Sequence, residues 1–193
     1  MNYREIVKTI ETLLKEKDYV VVAIDGMCGS GKTTLGEKLH EECGGLLLHM
    51  DDFYLQTYQR TKERLSEAGG NVDYERFKAE VLDPVLRHED FLYRPFDCQT
   101  MTLTEGVILP LERLVIIEGS YSHHPYFGDN YDLRLFIHIS DERQAERLLK
   151  REGEERYQNF VALWIPKENA YFNHYQIAQK ACVIEGDDSF WNN

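Results

Sequence analysis

The residues Gly26-Met27-Cys28-Gly29-Ser30-Gly31-Lys32-Thr33 keep the spacing G-x-x-x-x-G-K-[ST] and follow directly on the β-branched run Tyr19 to Ile24. A glycine-rich turn between a strand and a helix lets backbone N–H groups converge on one point, where the helix N-terminus adds partial positive charge. The chemistry implied is capture of a nucleoside triphosphate, expected to be ATP. Gly26, Cys28, Gly29, Ser30, Gly31, Lys32, Thr33 and Thr34 form the cradle. Lys32 reaches the β- and γ-phosphates, and the Thr33 hydroxyl holds Mg²⁺. A chance glycine-rich turn would lack the preceding strand and the helix formers from Lys32 to Glu42.

Two other strand ends carry carboxylates. The apolar run Leu46 to Met50 ends in Asp51-Asp52-Phe53-Tyr54, and Leu114 to Ile117 ends in Glu118-Gly119. Phosphoryl transfer needs the donor held, its charge neutralised, and an acceptor oxygen aligned and relieved of its proton. Asp51 or Glu118 can orient Mg²⁺ or take that proton, so Thr33, Asp51 and Glu118 are the candidate metal residues. Asp51 and Asp52 point to opposite sides of an extended strand, so one of them faces the cleft, and pattern alone does not choose. The basic helix that starts at Asp141 carries Arg143, Arg147, Lys150 and Arg151, with Arg156 beyond it, and supplies charge to the phosphates.

The elements that must position these groups alternate. Ile6, Ile10, Leu13 and Leu14 form one stripe of an amphipathic helix over 1–17 that packs on the sheet. Gly44-Gly45 stop the helix after the loop. Residues 55–72 are polar and read as a mobile connection, followed by a helix from Asp73, its cap, with Phe77, Val81, Leu82, Val85 and Leu86 as its buried stripe. Leu92 to Phe96 and Thr102 to Leu109 read as short strands, Leu133 to Ile139 as a longer one. Residues 152–166 resemble a lid, a helix spans about 167–180, and Cys182 to Ile184 form a last strand. Strands alternating with helices imply a doubly wound parallel α/β sheet of about five strands with helices on both faces, whose ligands collect at the carboxyl ends of its strands.

At 193 residues the chain is long enough for one domain, expected over 1–193, with an acceptor-binding insertion at about 54–110. A net charge of −12 disfavours nucleic acid, and no apolar stretch approaches the roughly 18 residues of a membrane span, so a cytoplasmic protein is expected. The four cysteines lack metal or disulfide spacing and are read as reduced thiols. Cys28 near a helix N-terminus has a thiolate-favouring position, its plainer reading being a small residue tolerated in the loop. His123-His124 have no third ligand at useful spacing and are read as solvent-facing. Of the aromatic residues from Tyr157 to Tyr175, one or two rings are expected at the ligand and the rest in the core.

Met50-Asp51-Asp52-Phe53-Tyr54, together with Asn71-Val72-Asp73, Phe96-Asp97, Ile117-Glu118-Gly119, and Pro166 with Tyr171-Phe172, resembles the uridine kinase family and its phosphoribulokinase relatives across about residues 19–185. The resemblance implies a fold of the P-loop nucleoside-monophosphate-kinase type and phosphorylation of a nucleoside 5′-hydroxyl, uridine or cytidine foremost. It implies Asp51 as general base, Glu118 as aid to metal and base, Asp73 on the ribose hydroxyls and Tyr54 in the nucleoside pocket. Arg147, Arg151 and Arg156 would contact phosphates, with Arg151 counted beside Lys32, Asp51 and Glu118 as catalytic. Two departures stand out. Glu75 replaces a proline common in the family two residues after Asp73, and Phe96 followed by Gln99 or Met101 replaces a base-contacting tyrosine and histidine. The partners implied are a nucleoside triphosphate and a nucleoside-like acceptor, with a homo-oligomer left open. Kinases of another small alcohol, such as pantothenate, a sugar phosphate or nicotinamide riboside, and a regulatory NTPase, are the competing readings.

Overall fold

Hydrophobic runs flanked by glycine turns build the centre of the computed structural model, which describes residues 1–187 and Phe190. The expected domain ends at 193, so its last residues lie outside the described ones. β1 (Val20–Gly26) is buried along its whole length, as is β7 (Leu114–Glu118), because both are central in a five-stranded sheet. With β2 (Leu46–His49), β8 (Leu133–His138) and β9 (Cys182–Glu185), the strand order is β2-β7-β1-β8-β9 and every pairing is parallel. The register sets Ile24 opposite Glu118 and His49 opposite Glu118, so the phosphate loop, the end of β2 and Glu118 emerge side by side.

Alternation sorts the strands' side chains into two cores. Val20, Val22, Ile24, Ile116 and Leu135 face Ile6 and Ile10 of α1 (Tyr3–Glu16) and Leu35 and Leu39 of α2 (Lys32–Cys43). Val21, Val115, Ile117 and Phe136 face the other way, onto Phe77, Val81 and Tyr171. The expected doubly wound sheet with helices on both faces is therefore present. α1 opens with a capping box formed by Asn2 and Glu5.

The segment over 55–72 departs from the mobile connection expected. It contains a 3₁₀ turn (Thr57–Gln59) and α3 (Lys62–Ser66). Arg64 ties it down, bonding the carbonyls of Gly70 at 3.0 Å and Val72 at 2.9 Å, reaching Glu75 at 2.6 Å and lying 3.8 Å over the Tyr74 ring. The helix after Asp73 comprises α4 (Tyr74–Phe77), a π-turn (Lys78–Leu82) and α5 (Asp83–Leu86). Its expected buried stripe holds except at Leu86, which is exposed. β3 (Phe91–Tyr93) pairs with β6 (Val107–Leu109), and β4 (Phe96–Asp97) with β5 (Thr102–Leu103), so two short antiparallel ribbons nest within one excursion.

The basic helix α6 (Asp141–Asn159) is broken at Gly153, whose φ of 78° is open to glycine at no steric cost. A π-turn (Phe160–Trp164) joins it to α7 (Ile165–Tyr175), and a 3₁₀ turn (Ile177–Lys180) leads to β9. The expected lid is thus helical for nearly all its length. Among the described residues no helix is long and apolar enough to cross a membrane.

Candidate active site

β1 ends where side chains no longer fit. A Cβ on Gly26 would lie 2.3 Å from the Ile137 carbonyl oxygen, so the chain can turn into the phosphate loop here only as glycine. Asp25, one residue earlier and fully buried, organises the turn. It accepts the N–H groups of Gly26 at 2.7 Å, Tyr121 at 3.2 Å and His123 at 3.0 Å, and the Tyr171 hydroxyl at 2.8 Å. These donors satisfy a carboxylate that would otherwise be costly to bury. They join β1, the turn after β7 and α7 into one unit. Lys32 folds back, donating to the carbonyls of Gly26 at 2.8 Å and Met27 at 3.0 Å.

The loop forms one wall of a cavity of about 770 Å³. Cys28, Gly29, Gly31, Lys32, Thr33 and Thr34 line it, as do Asp51, Tyr54, Glu118, Arg147 and Arg151. The Thr33 hydroxyl lies 3.2 and 3.3 Å from the two Glu118 oxygens. His49 at the end of β2 donates its Nδ1–H to Glu118 at 2.6 Å, and that bond raises the imidazole's pKa above its usual range. Of the paired aspartates, Asp51 faces the cavity and accepts the Tyr54 hydroxyl at 3.3 Å, while Asp52 is held by the Tyr93 hydroxyl at 2.5 Å. Asp51 meets solvent through the cavity, yet the walls crowding it raise its pKa. The Glu118 charge adds to this, and Lys32 opposes it.

Other expected residues stand elsewhere. Asp73 is buried as the cap of α4, accepting the Arg76 N–H at 3.1 Å and Gln59 Nε2 at 2.9 Å, and is not on the cavity wall. Phe96 is buried in the insertion under Arg60. Ser30 is buried and Gly26 lies behind the loop, neither on the wall. Arg147 holds the loop rather than reaching forward, donating to the carbonyls of Gly29 at 3.3 Å, Ser30 at 3.2 Å and Gly186 at 2.8 Å. Arg156 is outside the cavity, 3.5 Å from Glu152.

The plainer reading of Cys28 is kept, and the reading of the two histidines is corrected. Burial, reinforced by the charge of Glu168, pushes the Cys28 thiol up, so the helix end does not make a thiolate of it. His123 and His124 are buried, because the turn that carries them folds inward onto Asp25 and His124 stacks 4.3 Å from Tyr74.

Several wall residues escape a reading by motif. Arg60, Ser120 and Tyr121 come from loops, and Glu168 from α7. Gln144 of α6 donates to the Cys28 carbonyl at 2.9 Å from behind the loop. Asn71, also on the wall, lies inside the matched Asn71-Val72-Asp73, and Phe160 and Trp164 are the two rings that the aromatic-rich end contributes.

A sequence model of the NB-ARC domain matches residues 3–57, which hold the phosphate loop and Asp51 but little of the insertion and none of the lid. A protein of Xenopus tropicalis named "Probable gluconokinase" is 28% identical over 142 residues, covering 69% of this chain and 70% of that protein. A solved structure described as a possible uridine kinase from Bacillus stearothermophilus superposes with a TM-score of 0.68 at 20% identity, covering 94% of this chain and 98% of the other. A candidate fructose transport system kinase from Silicibacter sp. TM1040 gives 0.70 at 21% identity, covering 96% and 98%.

The chain therefore has the P-loop kinase fold.

Proposed function

We propose that the protein is an ATP- and Mg²⁺-dependent phosphotransferase acting on the hydroxyl of a small molecule, with the 5′-hydroxyl of a nucleoside, uridine or cytidine, as the first acceptor class. One observation carries this: the phosphate loop, with Lys32 and Thr33, and the carboxylate of Asp51 line the same cavity. A donor held by the loop and an acceptor beside Asp51 would then be neighbours. Asp51 takes the proton of the acceptor hydroxyl as its oxygen attacks the terminal phosphorus and ADP leaves. Burial raises its pKa, and that makes the carboxylate a stronger base than an exposed aspartate. Arg151, on the wall, neutralises charge on the transferred group.

The donor set at Thr33 and Glu118 fits Mg²⁺, which takes hard oxygen ligands and completes its shell with phosphate oxygens and water. Among the described residues no group of three His, Cys, Asp or Glu side chains could hold a metal. When bound, the ion would be held through the Thr33 hydroxyl and Glu118 and would supply neutralisation of phosphate charge. Asp51 bonds Tyr54 rather than this pair, and its role is that of base. In this reading the insertion at about 54–110 supplies the acceptor wall and 152–166 is the lid of a single domain.

Arg60 favours a second reading. It is exposed to the cavity, and among the described residues it pairs with no carboxylate, its Nε donating to the Leu55 carbonyl at 3.0 Å. A cation on the acceptor wall suits an acceptor that bears its own anionic group, such as gluconate. The test is ADP formation with uridine, cytidine, gluconate, pantothenate, nicotinamide riboside and a sugar phosphate, each against a blank. Acceptor-dependent turnover is expected with one class; equal turnover with none present overturns the reading.

A further inference from the structure

Glu168 is buried, yet it lines the cavity, and its oxygens have separate partners. Oε2 accepts the Cys28 amide N–H at 2.8 Å, and Oε1 accepts the Ser120 hydroxyl at 2.6 Å. Among the described residues no Lys, Arg or His forms an ion pair with it. A phosphate loop presents its amides to an anion, and here a side-chain anion already holds one of them. A single N–H cannot serve the carboxylate and a phosphate oxygen at full strength, and the two negative charges repel.

The position of Glu168 says which phosphate would meet it. Glu168 holds the Cys28 amide on the wall of the same cavity that Asp51 lines, and transfer requires the donor's terminal phosphate beside that proposed base. Its helix is coupled to what surrounds the cavity. Tyr171, one turn along α7, bonds Asp25 beneath the loop at 2.8 Å, and the π-turn just before α7 carries Phe160 and Trp164 of the wall.

We propose that Glu168 stands in for the terminal phosphate: it holds the Cys28 amide in the nucleotide-free protein and is displaced by the γ-phosphate of the donor, so that α7 transmits that displacement to Phe160 and Trp164. This rests on the donor reading of the phosphate loop. Displacement opposes triphosphate binding and leaves diphosphate binding untouched, which makes Glu168 a positioning residue that reads the charge state of the nucleotide.

Trp164 and Trp191 are the two tryptophans of the chain, so a Trp191→Phe background isolates the reporter on the wall. In it, ADP and a non-hydrolysable triphosphate analogue are titrated by calorimetry and by tryptophan emission. The analogue is expected to change Trp164 emission and ADP to leave it nearly unaltered. Glu168→Gln keeps the shape, removes the charge, and is expected to raise analogue affinity about tenfold over ADP affinity, within the usual range of coupling energies. Ser120→Ala, which releases only the other oxygen, is expected to move the same ratio in the same direction by less. An unchanged ratio in both variants overturns the displacement. Equal emission changes with ADP and analogue overturn the transmission through α7. If neither nucleotide binds, the donor reading falls and this inference with it.

Discussion

The two walls of the cavity are held by different kinds of structure. The donor wall is backbone: the loop follows a buried strand, Gly26 leaves no room for a side chain, and Asp25 pins the turn through three N–H groups and a hydroxyl. The acceptor wall is side chains on short pieces, Tyr54 and Arg60 from the chain after β2 and Asn71 before α4. Backbone geometry of the first kind serves any donor of the same shape. Side chains of the second kind can be exchanged singly, and in the proposed function this is the wall that would set acceptor choice.

Substitutions on the two walls should therefore fail differently. Lys32→Ala is expected to lower both nucleotide affinity and turnover, whereas Asp51→Asn lowers kcat by about two orders of magnitude with ATP affinity nearly intact, measured by steady-state kinetics and calorimetry. An Asp51→Asn enzyme of normal kcat would remove that residue from the base role.

His124 is buried away from the cavity wall, stacked on Tyr74 of α4 and 6.1 Å from Tyr171 of α7. Burial lowers its pKa from 6.5 to about 4. The unfolded chain therefore takes up the proton first as pH falls, and the stability held by the neutral ring is complete above about pH 6.5 and lost toward pH 4. Between pH 7.5 and 5 the wild type is expected to lose about 2 kcal/mol more than His124→Phe in denaturant titrations. Parallel pH profiles for the two proteins would show that the ring is not held neutral.

On the acceptor wall, Arg60→Ala should raise KM about tenfold for an anionic acceptor and leave KM for nucleosides and for ATP unchanged. Equal effects on every acceptor would make Arg60 a support of the loop. The smallest effect is expected at Asp73, where alanine should cost about 1 kcal/mol of stability as a lost helix cap and leave the acceptor KM in place. A large rise in KM would restore the ribose contact that the resemblance implies.

The same contrast explains what could be read from sequence. The phosphate loop, Asp51 and Glu118 are legible because each ends a buried hydrophobic run, and strand ends in a parallel sheet converge. Tyr54 follows from the resemblance, and Arg151 from the basic run along its helix together with that resemblance. Asp73 and Phe96 stand off the cavity wall, and a motif match does not reveal such burial, nor whether a polar group already has partners in the fold. Asp73 has them in Arg76 and Gln59. Arg60 and Glu168 were missed because their position depends on how segments distant in sequence pack: Glu168 meets Cys28 across 140 residues. Nor does a polar stretch such as 55–72 announce its order when a single side chain, Arg64, supplies it.

The central claim is that the two walls together move a phosphoryl group from donor to acceptor. Phosphorus NMR of ATP turnover with the acceptor panel tests it most directly. The account predicts that the terminal phosphate appears as a phosphomonoester of one acceptor class, and that Asp51→Asn suppresses that signal. Release of inorganic phosphate alone, at one rate with or without any acceptor, would contradict it.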